Sequence, residues 1–110
     1  MTYKEIRNVI EVLNNFQELK KSITVQQVLI FLVAFENDGA DQTTIIKKAG
    51  LKTAAGSKHL RMYSKYDSYN KREGFGLLDI VQDSSNLSSN IITITDKGGL
   101  ITKVLNFVKT

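Results

Sequence analysis

Over the first twenty positions, Ile6, Val9, Ile10, Leu13 and Phe16 recur at three- and four-residue steps, with Val12 and Leu19 widening the stripe. Glu5, Arg7, Glu11, Asn14, Asn15, Glu18 and Lys21 take the other positions. That period predicts an amphipathic helix over Tyr3 to Lys20, about five turns long. Thr24 then opens a second helix with a capping box, its hydroxyl serving the N–H of Gln27 while that glutamine reaches back. Ile23 and Val28 stand where a hydrophobic staple belongs. From Val25 to Phe35 the chain is apolar nearly all round, as in a helix buried on most sides. Its β-branched content suits a buried strand too, but the caps and a length of about twelve residues favour a helix. Glu36-Asn37-Asp38-Gly39 ends it with turn residues.

The stretch from Asp41 to Tyr66 reads as two short helices joined by a tight turn. Asp41 caps the first, Gln42 to Ala49, and Gly50 stops it by supplying a left-handed conformation. Leu51 and Lys52 make the turn, and Thr53 is the expected N-cap of a helix running from Ala54 to Tyr66. At 100° per residue, Ala54, Lys58, Arg61 and Lys65 share one narrow stripe. Gly56, Leu60 and Tyr63 point the opposite way, flanked by His59, Met62 and Tyr66. One face packs and the other is basic: a helix-turn-helix over residues 41–66.

A polar link, Asp67 to Gly76, follows, into which the second helix could run as far as Lys71. Leu77 to Asp83 and Ile91 to Thr95 are then predicted strands of a β-hairpin spanning 77–95, whose tip, Ser84 to Asn90, is polar and flexible. Thr95 or Asp96 caps a final helix over Lys97 to Lys109, where Leu100, Ile101, Val104, Leu105 and Val108 keep helical spacing. The expectation is a single α+β, mainly helical domain over residues 1–110, ordered helix, helix, helix-turn-helix, hairpin, helix.

Charge sharpens this picture. A row of lysines on a helix is most often plain solvated surface, but here the distribution is uneven. Between Thr43 and Arg72 lie eight cations (Lys47, Lys48, Lys52, Lys58, Arg61, Lys65, Lys71, Arg72) against Asp67, a net +7. The rest of the chain has seven basic and ten acidic residues, a net −3. A concentrated patch of this kind is what displaces counterions from phosphates.

Other chemistry is sparse. With no cysteine and one histidine, disulfides, thiolate sites and multi-histidine metal sites within the chain are excluded. Gly98-Gly99 lacks the rest of any phosphate-loop pattern, His59 lies on the packed side of its helix, and no nucleophile–base pair stands out. No enzyme activity, cofactor or metal is expected. The longest apolar run, Val28 to Phe35, is too short to span a bilayer, and no signal-peptide core follows Lys4 and Arg7, so a cytoplasmic protein is expected.

Gly50-Leu51, Ser57-Lys58-His59-Leu60, Gly76-Leu77-Leu78 and Ile94-Thr95-Asp96-Lys97-Gly98, in this order of elements, resemble a winged-helix DNA-binding domain. The likeness is greatest to the MarR group of bacterial transcriptional regulators, which share a leading helix and a threonine-x-x-glycine step into the helix after the wing. Ser57 to Tyr63 also resembles the ArsR group. The resemblance implies a homodimer that binds double-stranded DNA, with one recognition helix per subunit in the major groove and the wing on the flanking backbone.

On that likeness Thr53, Ala54, Ser57, Lys58 and Arg61 face base edges. Lys47, Lys48, Lys52, Lys65, Lys71 and Arg72, with Ser85, Asn86 and Ser88 of the wing, face the DNA backbone. Ile6, Leu13, Val104 and Val108 join the two subunits. The chain departs from the group in a wing tip without arginine or lysine and in a longer link from Ser64 to Phe75. The expected function is a transcriptional regulator, a repressor occupying a promoter or operator. The alternative is a winged-helix interaction or assembly module whose basic face meets an acidic partner, a reading that the neutral wing keeps open.

Overall fold

The structure, a computed structural model, describes residues 1–101, the side chain of Leu87 set aside. Val104, Val108 and the expected helix beyond Ile101 lie outside the described residues. Four helices come first: α1 (Tyr3–Leu19), α2 (Val25–Glu36), α3 (Gln42–Lys48) and α4 (Thr53–Tyr63). Two antiparallel hairpins follow, β1 (Tyr66–Asp67) with β2 (Arg72–Glu73), then β3 (Leu78–Asp83) with β4 (Asn86–Ile94). The described part of α5 is Asp96–Ile101.

The capping chemistry sets these boundaries. Thr24 and Gln27 form the expected reciprocal box at the start of α2, Thr2 and Glu5 do the same for α1, and the Asp41 carboxylate accepts from the Thr44 N–H. At α5 the Thr95 hydroxyl accepts from the Gly98 N–H. One cap differs: Lys52, not Thr53, is the N-cap of α4, and Thr53 is already the first helical residue. The turn is one residue shorter than its threonine suggested.

The core forms where α1, α2 and α4 meet. Phe16 stands edge-on to Phe31 at 5.5 Å and to Tyr63 at 6.3 Å, with Phe31 and Tyr63 5.1 Å apart. The Tyr63 hydroxyl is no surface tip, since it donates to the Gln27 carbonyl at 2.6 Å inside the protein. Ile30, Ile45, Leu60, Leu77, Leu78 and Ile92 are fully buried around them. Tyr66, expected in the core, is instead 55% exposed. α2 is less enclosed than its sequence suggested: Val25 and Leu29 reach solvent. With Ile10, Leu13, Ile23 and Leu32 they line an open apolar groove of about 470 Å³ between α1 and α2.

The largest departure follows α4. The helix ends at Tyr63, not at Tyr66 or Lys71, because Ser64 turns extended and its hydroxyl donates to the Arg61 and Tyr66 carbonyls. The returning chain then occupies the last carbonyls of the helix, with Phe75 N–H on Met62 and Leu77 N–H on Tyr63. Gly74 is required at this crossing, where a Cβ would lie 1.8 Å from the Ser64 carbonyl oxygen. The polar link is thus an ordered hairpin, pairing Tyr66 with Glu73 and Asp67 with Arg72.

The wing differs too. The expected seven-residue flexible tip is strand, because Asn86 pairs with Asp83 around Ser84 and Ser85, and the surplus residues of β4 are taken up as a bulge beside Gln82. The base of the wing is tied to the α2–α3 turn. Gly39 N–H donates to Ile92, Ile92 N–H to Ala40, and Ile94 N–H to the Asp38 carboxylate.

Candidate nucleic-acid interface

α3 and α4 pack closely because of Gly56, where a Cβ would meet the branched carbons of Ile46 at 2.6 Å. Gly50, at φ +71°, makes the turn between them. Gly56, Leu60 and Tyr63 are buried as expected. Of the expected base-facing residues, Thr53, Ala54 and Lys58 are exposed, while Ser57 and Arg61 are half-buried. Arg61 Nη1 donates to Gln42 Oε1 at 3.0 Å, bridging the two helices and steadying the guanidinium at one edge of the stripe. Ser57 is also engaged, accepting a hydrogen bond from the Tyr69 hydroxyl at 3.2 Å.

Lys47, Lys52, Lys65, Lys71 and Arg72 are all exposed, Arg72 bordering a recess with Leu19 and Lys20 at the end of α1, Met62 and Glu73. Lys48 is exposed but turned back onto the body, its ammonium 2.8 Å from Asn37 Oδ1. At the wing, Ser85, Asn86 and Ser88 are exposed, yet the Ser85 hydroxyl donates to Asp83 and the Ser88 hydroxyl to Asn86. Those bonds to Ser85 hold the Asp83 carboxyl below its ordinary range, so the wing tip is anionic at neutral pH.

Two further groups shape the face. Asp67, at 1% exposure, accepts from the N–H groups of Tyr69 and Asn70 and from the Asn70 side chain at 2.8–3.1 Å. Burial alone would raise its pKa, but these bonds, with the nearby Arg72, outweigh it and lower it. His59 is lowered chiefly by burial and then by Lys58 and Lys20, so it is neutral at pH 7 and adds no charge. Among the described residues no cluster of histidine, aspartate and glutamate could hold a metal ion, and no helix is long and apolar enough to cross a membrane. Sequence reasoning left out Gln42, whose only signal was its polarity beside a basic stripe; Tyr69 could be read from the sequence as a side chain able to stack on bases, but not its bond to Ser57.

The course of the chain matches known structures over most of its length. The fold is that of the MarR-family regulators. A MarR family transcription regulator, SP03579, superimposes with a TM-score of 0.63 at 16% identity, covering 97% of this chain and 65% of that one. The PcaV transcriptional regulator of Streptomyces coelicolor, solved with its natural ligand, gives 0.63 at 18%, covering 94% and 67%. The transcriptional repressor CouR, bound to a 23-mer DNA duplex, gives 0.62 at 23%, covering 96% and 68%. The chain therefore spans about two-thirds of the length of these MarR-type winged-helix proteins. By sequence it matches no protein-family model and no curated protein.

Proposed function

We propose that the protein is a double-stranded DNA-binding transcriptional regulator, acting in the cytoplasm as a homodimeric repressor that occupies a promoter or operator. The observation that carries this reading is the outward face of α4, where Thr53, Ala54 and Lys58 are exposed on a helix braced by Gln42 and Ile46, with Lys65 exposed just beyond its end. A rigid helix with short polar and cationic side chains at its open face fits a major groove. The fold of DNA-bound CouR supports the same placement. Ile6, Val9, Ile10 and Leu13, all at least 36% exposed along α1, support a subunit interface through the terminal helices.

Fluorescence anisotropy on random-sequence duplexes over a salt series tests the reading. With about six to ten phosphate contacts per dimer, affinity is expected to fall on the order of a thousandfold between low and moderate salt. A flat salt response, or no binding at low salt, overturns it in favour of the second reading, an assembly module whose basic face meets an acidic partner. A wing without arginine or lysine, which offers no clamp for a duplex, is what supports that second reading.

A further inference from the structure

The hairpin of β1 and β2 stands where a recognition helix would otherwise pass straight into the wing, and three observations give it a task. The first is position. The Tyr69 hydroxyl lies 3.2 Å from Ser57 Oγ, so the hairpin tip reaches the outward side of α4. Beside it, an open cleft of about 520 Å³ between hairpin and wing is lined by Arg61, Lys65, Tyr66 and Ser68 on one side and by Asp79 and Asn90 of the wing on the other.

The second observation is order. A merely solvated loop has no need of a buried carboxylate, yet Asp67 collects three hydrogen bonds that lock residues 67–70. Lys71 then turns at φ +53°, a conformation that costs a lysine energy unless its surroundings impose it. A loop already fixed in shape loses little entropy on binding. The third observation is charge. From Leu77 to Thr95 the wing carries Asp79 and Asp83 and no cation, so it repels phosphate. The hairpin and its approach carry Lys65, Lys71 and Arg72, all exposed, against Asp67 and Glu73, a net +1 where the wing is −2.

Resting on the DNA-binding reading above, we propose that the β1–β2 hairpin is a second DNA-contacting element that replaces the wing's missing cations. Tyr69 presents its hydroxyl to the duplex from the base-reading face beside Ser57, and Lys71 and Arg72 neutralise flanking phosphates. The wing then serves as a brace and not as a clamp. Specificity is shared between Ser57 and Tyr69, because whichever partner the Tyr69 hydroxyl donates to decides whether the Ser57 oxygen is free to accept from a base.

The test compares the unmodified protein, Lys58→Ala, Tyr69→Phe and the double variant Lys71→Asn/Arg72→Gln in the anisotropy salt series. Asparagine is chosen because it tolerates positive φ, and circular dichroism and thermal melting check that each variant folds. Tyr69→Phe is expected to weaken binding about fivefold, one net hydrogen bond. It is also expected to change the preferred site in a selection from random duplexes. The double variant is expected to weaken all sequences alike and to flatten the slope of log affinity against log salt by about two per subunit. If Lys58→Ala loses affinity while both hairpin variants bind as the unmodified protein does, the hairpin is a solvated loop and the proposal falls with the DNA reading intact. If the unmodified protein binds no duplex at low salt, the DNA reading itself fails, and the hairpin's role with it.

Discussion

Tyr63 shows how one residue joins core to element. Its ring completes the aromatic cluster and its hydroxyl reaches the Gln27 carbonyl of α2, so α2 and α4 are held in both packing and register. Tyr63→Phe is expected to cost about 0.5–1.5 kcal/mol in a urea titration, the net worth of one hydrogen bond. Burial raises its pKa, so above about pH 10, the ordinary phenol value, the unfolded chain releases a proton the folded chain keeps, and stability declines. Asp67 works at the opposite end of the scale. Its pKa is depressed, so it contributes stability above the ordinary carboxylate value of about 4, and that contribution is lost as pH falls through the lower folded value. Urea midpoints between roughly pH 2.5 and 6 are expected to drop toward acid in the unmodified protein. Asp67→Asn is expected to be less stable at pH 6 and to flatten that dependence; an unchanged profile would show that Asp67 is idle.

At the scale of elements, what could be read from the chain was whatever local chemistry decides. The Thr24–Gln27 box, the Asp41 cap, Gly50 and the three-four spacing of α1 are all contained within one or two turns, and each stands where expected. In the site, the outward position of Lys58 was legible for the same reason, whereas Lys65, put on the same stripe by helical spacing, is exposed beyond the end of α4. The end of α4 was not legible, because Ser64 through Tyr66 hold no helix breaker; its last carbonyls are taken by the N–H groups of the irregular segment 74–77 between β2 and β3. The hairpin stayed hidden because Asp67 looks like any polar loop residue until its burial is seen. Gly74→Ala is expected to cost about 3 kcal/mol or more in a thermal or urea melt, since its Cβ meets backbone that cannot give way. Arg61→Ala is expected to cost roughly 1–3 kcal/mol at one operator position and to relax preference there, whereas Lys47→Ala weakens all sequences alike. Lys48→Ala, whose ammonium is turned to Asn37, is expected to do less than Lys47→Ala. An Arg61 effect uniform over sequences would make it a backbone contact.

For the whole molecule, apolar surface and charge fall on different elements. Ile10, Leu13 and Leu29 are exposed along a groove between α1 and α2 whose lining includes no lysine or arginine, so a second copy can join there without covering Lys58 or Lys65. Sedimentation at micromolar concentration is expected to give about twice the 12.3 kDa chain mass. Leu13→Glu is expected to return it to monomer with little change in the melt. A Leu13→Glu protein that unfolds without dissociating would place that residue in the core.

The attachment of β4 to the turn before α3 also divides the wing in time. Near Ile92 and Ile94 the strand is stitched to Asp38, Gly39 and Ala40 and cannot open unless the helix-turn-helix opens as well. Beyond Asn90 toward Ser85 the ribbon is paired to β3 alone among the described strands. In heavy water the amides of one short hairpin should therefore keep two clocks, those at the root exchanging as slowly as the core and those at the tip in a small fraction of that time.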